Sequence, residues 1–438
     1  MVMRDHVDAG SMQIMDTIFA LSSGAPPAAI AVIRISGANA SLALGTLAGR
    51  LPEPRRASVA RLRDANGGTL DNALVLWFPG PDTVTGEDIA ELHCHGGRAV
   101  VAAVEAVLAG LPNVRRATPG EFTRRSFVNG RIDLAEAEGL GDLLSAETEL
   151  QRRSALAMAG GAFSRLVERW REELLTLSAR VEAQLDFADE DDVAVSALDF
   201  SALGNGLCAE IRDWLARPRV EALREGYRVV LAGPPNAGKS TLFNALVESE
   251  AAIATPIAGT TRDVLTRPVA IEGVPFVFAD TAGLRDDSTD TVETIGVERA
   301  RDAVQRADLV LWLGAEDKAP DNAWKIEAQV DRPDHAAVHN PRHRISAVTG
   351  EGLASLRADL VEAARAALPK PGEAALSARQ HRLLAEAEQA LTVAGELKDP
   401  LLVAENLRLA RVAFDSLLGR TTTEDMLDTL FNGFCIGK

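Results

Sequence analysis

Two periodicities of apolar residues alternate along this chain, and the points where one gives way to the other divide it. From Asp16 to about Leu111, short apolar runs are separated by turn residues. Ala29-Ile30-Ala31-Val32-Ile33-Arg34-Ile35 predicts a strand ended by Ser36-Gly37, and Ala73 to Phe78 predicts another closed by Pro79-Gly80-Pro81. Val100 to Ala109 predicts a small-residue amphipathic helix that stops at Gly110. Spacings of three and four then take over. Leu134 to Gly160 and Phe163 to Leu185 predict long helices, with Gly139 and Gly141 weakening the first. Asp189-Glu190-Asp191-Asp192 interrupts the pattern, and Phe200 to Ala216 resumes it before Pro218.

Buried-strand runs return at Arg228 to Ala232, Phe276 to Asp280 and Leu309 to Leu313, in an α/β pattern that lasts to about Ala367. Pro369-Lys370-Pro371-Gly372 marks its end as a stiff linker. Ser377 to Leu397 and Leu401 to Leu418 are amphipathic again. A lone helical pair cannot bury its own apolar stripe, so it is expected to pack on the earlier helices. The α/β segment then becomes an insertion in one discontinuous helical domain. The expectation is a multidomain α/β protein: an α+β domain over residues 1–117, helices over 118–222, an inserted α/β domain with a mostly parallel sheet and helices on both faces over 223–370, and helices again over 371–438.

Composition narrows the class without naming it. The chain's 438 residues have room for about three domains. Apolar and charged shares of 47% and 25% are those of an ordinary globular protein. No apolar run reaches the roughly 18 residues of a spanning helix. Met1 to Ala20 carries Arg4, Asp5, His6 and Asp8 and lacks a signal-peptide core, and Met12 or Met15 is an alternative start. Cys94, Cys208 and Cys435 lie far apart with no metal-ligand spacing, which suits a reducing, cytoplasmic setting. A formal charge of −17 argues against indiscriminate nucleic-acid binding. Arg115, Arg116, Arg124, Arg125 and Arg131 form a candidate basic patch, whose plainer reading is a solvated arginine-rich surface.

The chemistry concentrates between Tyr227 and Leu246. Gly233-Pro234-Pro235-Asn236-Ala237-Gly238-Lys239-Ser240 stands between a strand-like run and helical Thr241 to Leu246. This is the phosphate-binding loop, G-x-x-x-x-G-K-[ST], in its required context. Its amides form an anion nest, the helix N-terminus adds positive potential, Lys239 would meet β- and γ-phosphate oxygens, and the Ser240 hydroxyl would ligate Mg²⁺. Asp280-Thr281-Ala282-Gly283 closes a second strand, where an aspartate can hold Mg²⁺ through water and a glycine amide can sense the γ-phosphate. Between them, Gly259-Thr260-Thr261-Arg262-Asp263 offers a threonine to complete the Mg²⁺ shell.

Leu284 stands where many GTPases place a water-orienting glutamine, so Glu293 is the candidate substitute. A guanine-reading Asn-Lys-x-Asp is reduced to Ala328-Gln329-Val330-Asp331; Asp331 keeps the base-pairing carboxylate, and Ser346-Ala347 follows as a second base loop. His93 and His95 would share one strand face, yet no further ligand lies near enough in sequence for zinc. The terminal Phe434 to Lys438 fits a prenylation box poorly, and Cys435 within it could serve as a mobile nucleophile or redox group, the plainer reading being an incidental terminal cysteine.

Taken together, the chain resembles the tRNA wobble-uridine modification GTPase family (MnmE, TrmE) over nearly its full length. The resemblance rests on Thr85-Gly86-Glu87-Asp88, Thr118-Pro119-Gly120-Glu121-Phe122, Asn129 to Leu134, the phosphate loop, Gly259 to Asp263, Asp280 to Leu284 and Phe434 to Lys438. It implies a tetrahydrofolate-binding, dimerising N-terminal domain, with Arg34, Glu91, Arg131 and Lys438 as folate contacts. It implies a potassium site at Asn236, Thr255, Ile257 and Thr260, Mg²⁺ on Ser240 and Thr261, Glu293 as catalytic carboxylate and Cys435 in the modification chemistry. GTP would further meet Ala237, Gly238, Thr241, Ala258, Gly259, Asp280, Thr281, Ala282, Gly283, Asp331, Ser346 and Ala347. The implied assembly is a homodimer joined by an FAD-dependent partner subunit in a heterotetramer that adds an aminomethyl-type group to carbon 5 of the wobble uridine. Pro234 in place of the usual arginine, Val84 in place of an aromatic, and the reduced Asn-Lys-x-Asp are departures from the family pattern. The competing expectation is a ribosome-assembly switch GTPase, which would need neither a folate site nor a tail thiol.

Overall fold

The computed structural model describes residues 16–186, 200–248, 266–281, 301–314, 319–320 and 323–437. It divides into two compact units, residues 1–137 with 419–438 and residues 138–418.

In the first unit, β1 (Thr17–Leu21), β2 (Ile30–Ser36), β3 (Ser58–Arg63), β4 (Thr69–Phe78), β5 (Ile89–His95) and β6 (Val114–Arg116) form a six-stranded sheet in the order β3-β4-β5-β2-β1-β6. All pairings are antiparallel except β1 with β6. The period of two in β2 sends Ala31, Ile33 and Ile35 into a core shared with α1 (Ala40–Ala48) and α2 (Arg98–Ala109). Arg34 therefore lies on the opposite face, in register with Glu91 of β5. On that face α3 (Glu121–Val128) buries Phe122 against Ile18, Ala20 and Ala117.

The second unit carries α4 (Leu134–Ser145), which begins just before it, then α5 (Glu149–Ala159), α6 (Ala162–Asp186), α7 (Phe200–Leu215) and α8 (Val220–Glu225). The sequence predicted one helix from Leu134 to Gly160. It breaks at residues 146–148 because Thr148 N-caps α5 in a capping box with Gln151. Gly139 is where α5 crosses α4 closely: a Cβ there would lie 2.8 Å from the Met158 side chain.

Next comes the α/β segment: β7 (Tyr227–Ala232), α9 (Lys239–Val247), β8 (Thr266–Ile271), β9 (Val274–Asp280), β10 (Leu309–Trp312), β11 (Trp324–Glu327), β12 (His343–Arg344) and α10 (Leu353–Ala367). Its sheet has the order β12-β11-β10-β7-β9-β8 and is parallel apart from the β8–β9 edge pair. Val229, Val230, Leu231 and Ala232 are all buried, as expected of a central parallel strand covered on both faces.

After it, α11 (Ala378–Glu396) packs on α7, and α12 (Pro400–Leu417) packs on α11 and α6. Trp170 is fully buried 6.1 Å from the Phe414 ring, and Arg171 pairs with Asp415 at 2.7 Å. The C-terminal pair thus covers its stripe as the sequence requires, and the α/β segment is an insertion between two helical halves.

Beyond the helices that apolar spacing predicts lies α13 (Glu424–Phe431). Leu427 and Phe431 are buried in the first unit, with the Phe431 ring 6.2 Å from Phe127 and 6.0 Å from Phe434. The apolar spacing of four then three from Leu427 to Phe434 was the available signal.

Candidate functional site

The inserted segment builds its site at the C-terminal edge of the parallel strands, where open α/β sheets bind ligands. The chain leaves β7 at Gly233 with φ 143°, and a Cβ there would collide with the Leu313 carbonyl at the end of β10. Asn236 (φ 62°) and Gly238 (φ 90°) are also left-handed, which coils the loop so that α9 starts directly behind it. Lys239 is buried to 6% exposure, and its Nζ donates to the carbonyls of Gly233 (3.1 Å) and Pro234 (2.8 Å). The ammonium is therefore held over the mouth of its own loop. The Ser240 hydroxyl donates to Asp280 Oδ2 at 2.6 Å, and the Thr281 hydroxyl donates to the Leu231 carbonyl at 2.9 Å. Asp280 is 1% exposed at the end of β9, in register with Leu231. A hydroxyl and a carboxylate at this separation are the hard oxygen donors that Mg²⁺ takes.

The loops after β11 and β12 border the other side of this nest. Gly238, Thr241, Gln329, Asp331 and Ala347 line one small cleft. The Ser346 hydroxyl bonds to the Asp331 carboxyl and holds it below the ordinary carboxylate range. Gln329, standing where the base-reading motif has lysine, donates from Nε2 to the Asn236 carbonyl at 3.2 Å. Thr255, Ile257, Ala258, Gly259, Thr260, Thr261, Ala282, Gly283, Glu293 and Lys438 lie outside the described residues.

A second cluster sits on the α3 face of the N-terminal sheet. Arg34 Nε and Nη2 both lie 3.0 Å from Glu91 Oε1, while His93 Nε2 lies 3.3 Å from Glu91 Oε2. The pair keeps partial solvent access, at 24% and 18% exposure, and the guanidinium lies 5.9 Å from the Phe122 ring centroid. Two residues along the same face, the Ser36 hydroxyl meets Thr85 and Glu87 at 2.7 Å each. Arg131 flanks the same loop, with its stem against Gly86 and its guanidinium 3.9 Å from Asp82.

The C-terminal tail folds onto this unit too. Gly120 N–H donates to the Cys435 carbonyl at 3.4 Å, and the Ser22 hydroxyl donates to the Gly437 carbonyl at 2.9 Å. The Cys435 thiol is left exposed.

The candidate basic patch is corrected by the structure. Arg125 is 0% exposed among Asp16, Glu87 and Glu121; Arg115 pairs with Asp16 and Glu121, Arg116 with Glu105, and Arg124 with Glu424 and Asp428. Most of these arginines are thus neutralised by acids distant in sequence. Of the two histidines, His93 bonds Glu91 at 3.3 Å and His95 bonds Asp71 at 2.7 Å, and among the described residues no three potential ligands cluster.

The chain is similar to known proteins over nearly its whole length. The family model described as the GTP-binding protein TrmE N-terminus matches residues 17–131, and that of the MnmE helical domain matches residues 134–435. A protein of Erythrobacter litoralis called tRNA modification GTPase MnmE is 62% identical over 424 residues, covering 97% of this chain and 100% of that one. Its namesake in Novosphingobium aromaticivorans is 62% identical over 435 residues with the same coverage. That of Zymomonas mobilis is 50% identical over 435 residues, again covering 97% and 100%.

Proposed function

The chain belongs to the MnmE (TrmE) family of tRNA modification GTPases, and from that membership we propose how its sites divide the work. It is a GTP-hydrolysing enzyme of tRNA wobble-uridine modification. The observation that carries the nucleotide reading is the assembly of Lys239, Ser240 and Asp280 around a left-handed loop at the head of α9.

In this reading the loop amides and the α9 N-terminus receive the phosphates. Lys239, whose Nζ lies against the Gly233 and Pro234 carbonyls, would meet β- and γ-phosphate oxygens there. Ser240 and Thr261 would hold Mg²⁺, whose charge offsets that of the transferring phosphoryl group, and Asp280 would orient the Ser240 side of that shell. Asp331 would pair with the guanine edge, and Glu293 would orient the attacking water that Leu284 cannot hold. Asn236, Thr255, Ile257 and Thr260 would bind potassium beside the phosphates.

The Arg34–Glu91 pair, with Arg131 and Lys438, would bind a tetrahydrofolate derivative. A carboxylate beside a guanidinium matches the amino and amide edge of such a heterocycle. Cys435, exposed on a docked tail, would take part in modifying carbon 5 of the wobble uridine. The reaction would run in the cytoplasm, in a homodimer working with an FAD-dependent partner subunit.

One set of assays tests the scheme. The protein should turn over GTP and not ATP, faster in potassium than in sodium salts, and Lys239→Ala should abolish turnover. Undiminished hydrolysis by Lys239→Ala removes the phosphate-loop assignment, and equal rates in both salts remove the potassium site. Cys435→Ser should keep hydrolysis while the modified nucleoside disappears from tRNA digests. Folate titration should lose at least tenfold in affinity when Glu91→Ala is introduced; unchanged binding places the folate elsewhere.

A further inference from the structure

The base-reading element of this chain has lost the asparagine and lysine that would brace it: Ala328 and Gln329 stand in their places before Asp331. Two loops with no covalent link must nevertheless keep a fixed distance, because one holds phosphates and the other a base of the same ligand. One side chain bridges them. Gln329 Nε2 donates to the Asn236 carbonyl at 3.2 Å, and the amide lies across Gly238, where a Cβ would come within 3.1 Å of it.

Both ends of this bridge have left-handed backbone. Gln329 has φ 61° and Asn236 has φ 62°, and a non-glycine residue in the left-handed region is uncommon and held there by its surroundings. The Gln329 conformation is fixed by its neighbours: its carbonyl accepts from Arg332 N–H at 2.9 Å, and Val330 N–H donates to the Ile345 carbonyl at 3.3 Å. The turn so formed presents Asp331 toward Ser346 and turns Gln329 back onto the phosphate loop.

We propose that Gln329 is the positioning residue that locks the base-reading loop to the phosphate loop, replacing the missing asparagine–lysine brace and setting the affinity for guanine nucleotides. It acts on the loop backbone and does not read the base. The inference rests on the guanine-nucleotide reading of the site given above.

Equilibrium binding of GDP and of inosine diphosphate, which lacks the exocyclic amine, tests it on the full-length protein with Mg²⁺. Gln329→Met keeps the volume over Gly238 and removes the donor without adding charge. It should weaken both diphosphates equally, by about fivefold, the scale of one net hydrogen bond. Asp331→Asn is the contrasting arm, since it alters the base edge: it should collapse the GDP preference and favour xanthosine diphosphate. An unchanged melting temperature for nucleotide-free Gln329→Met shows that the variant is folded. Wild-type affinity in that variant overturns the proposal, as does a loss confined to GDP, which would make Gln329 a base reader. Failure of the unmodified protein to bind GDP would overturn the underlying reading and the proposal with it.

Discussion

At the scale of single residues, the N-terminal unit hangs on a guanidinium that sees no solvent. Arg125 contacts Glu121, Asp16 and Glu87 at 2.8 to 3.1 Å. Burial pushes the Glu121 carboxyl up, but hydrogen bonds from Arg115, Thr118 N–H and Arg125 outweigh it and hold the group at about 2, below its ordinary 4.5. A folded value below the unfolded one means stability that is present above about pH 4.5 and lost as pH falls toward about 2. Glu121→Gln should therefore flatten the acid-unfolding profile of this unit across that window and cost on the order of 2–3 kcal/mol at neutral pH. Arg125→Met should cost about 3–5 kcal/mol, since it strands carboxylates in a poorly solvated site. Acid titration followed by circular dichroism checks both, and a Glu121→Gln profile superposable on wild type would refute the assignment. None of this was legible in the sequence. The arginines were visible as a cluster, but Asp16, Glu87 and Glu424 reach them only through the tertiary fold, so neither their pairing nor the burial of Arg125 could be read.

Elements were far more legible, because helix and strand periods are local. The strands at Ile30–Ser36 and Tyr227–Ala232 and the helices at Arg98–Ala109, Ala162–Asp186 and Ala378–Glu396 stand where apolar spacing put them. What local pattern missed was punctuation and lodging. Apolar spacing runs on through residues 146–148, and only the Thr148–Gln151 capping box reveals the break. Likewise α13 is short, and its apolar stripe has meaning only against α3, some three hundred residues earlier. Phe431 is the pivot of that contact: it is 2% exposed, it faces Phe127 and Phe434, and its carbonyl sits where a Gly120 Cβ would otherwise be. Phe431→Ala should destabilise the docking by about 3–5 kcal/mol. Hydrogen exchange should then accelerate in α3 and α13 and stay unchanged in β7. Unaltered protection of α3 would show that the tail adds nothing to it.

For the molecule as a whole, the insertion has a testable independence. The grouping of Lys239, Ser240 and Asp280 was readable from sequence because it is made by one strand–loop–helix turn and one strand end, each dictated locally. The chain enters and leaves the inserted segment side by side: Gly226, Tyr227, Ala367 and Leu368 line one cleft, and Val220 N–H donates to the Leu376 carbonyl at 3.0 Å. Such adjacent ends are what domain insertion tolerates. The core of the segment is not wholly its own, however. Leu150 at the start of α5 and Leu223 of α8 are buried with Val229, Phe276 and Leu311, and Leu150 N–H donates to the Gly273 carbonyl at 3.1 Å. A fragment of residues 226–370 should therefore bind GDP about as tightly as the full chain, because its phosphate and base loops are intact. It should also unfold at lower temperature, losing roughly 2–5 kcal/mol for the apolar surface that Leu150 and Leu223 cover. Extending the fragment back to residue 220 should restore the Leu223 share alone. Calorimetric melts beside GDP titrations separate the two effects. A fragment that melts like its lost core predicts but cannot bind GDP would mean that the helices complete the nucleotide site, and that the insertion borrows function as well as stability from its host.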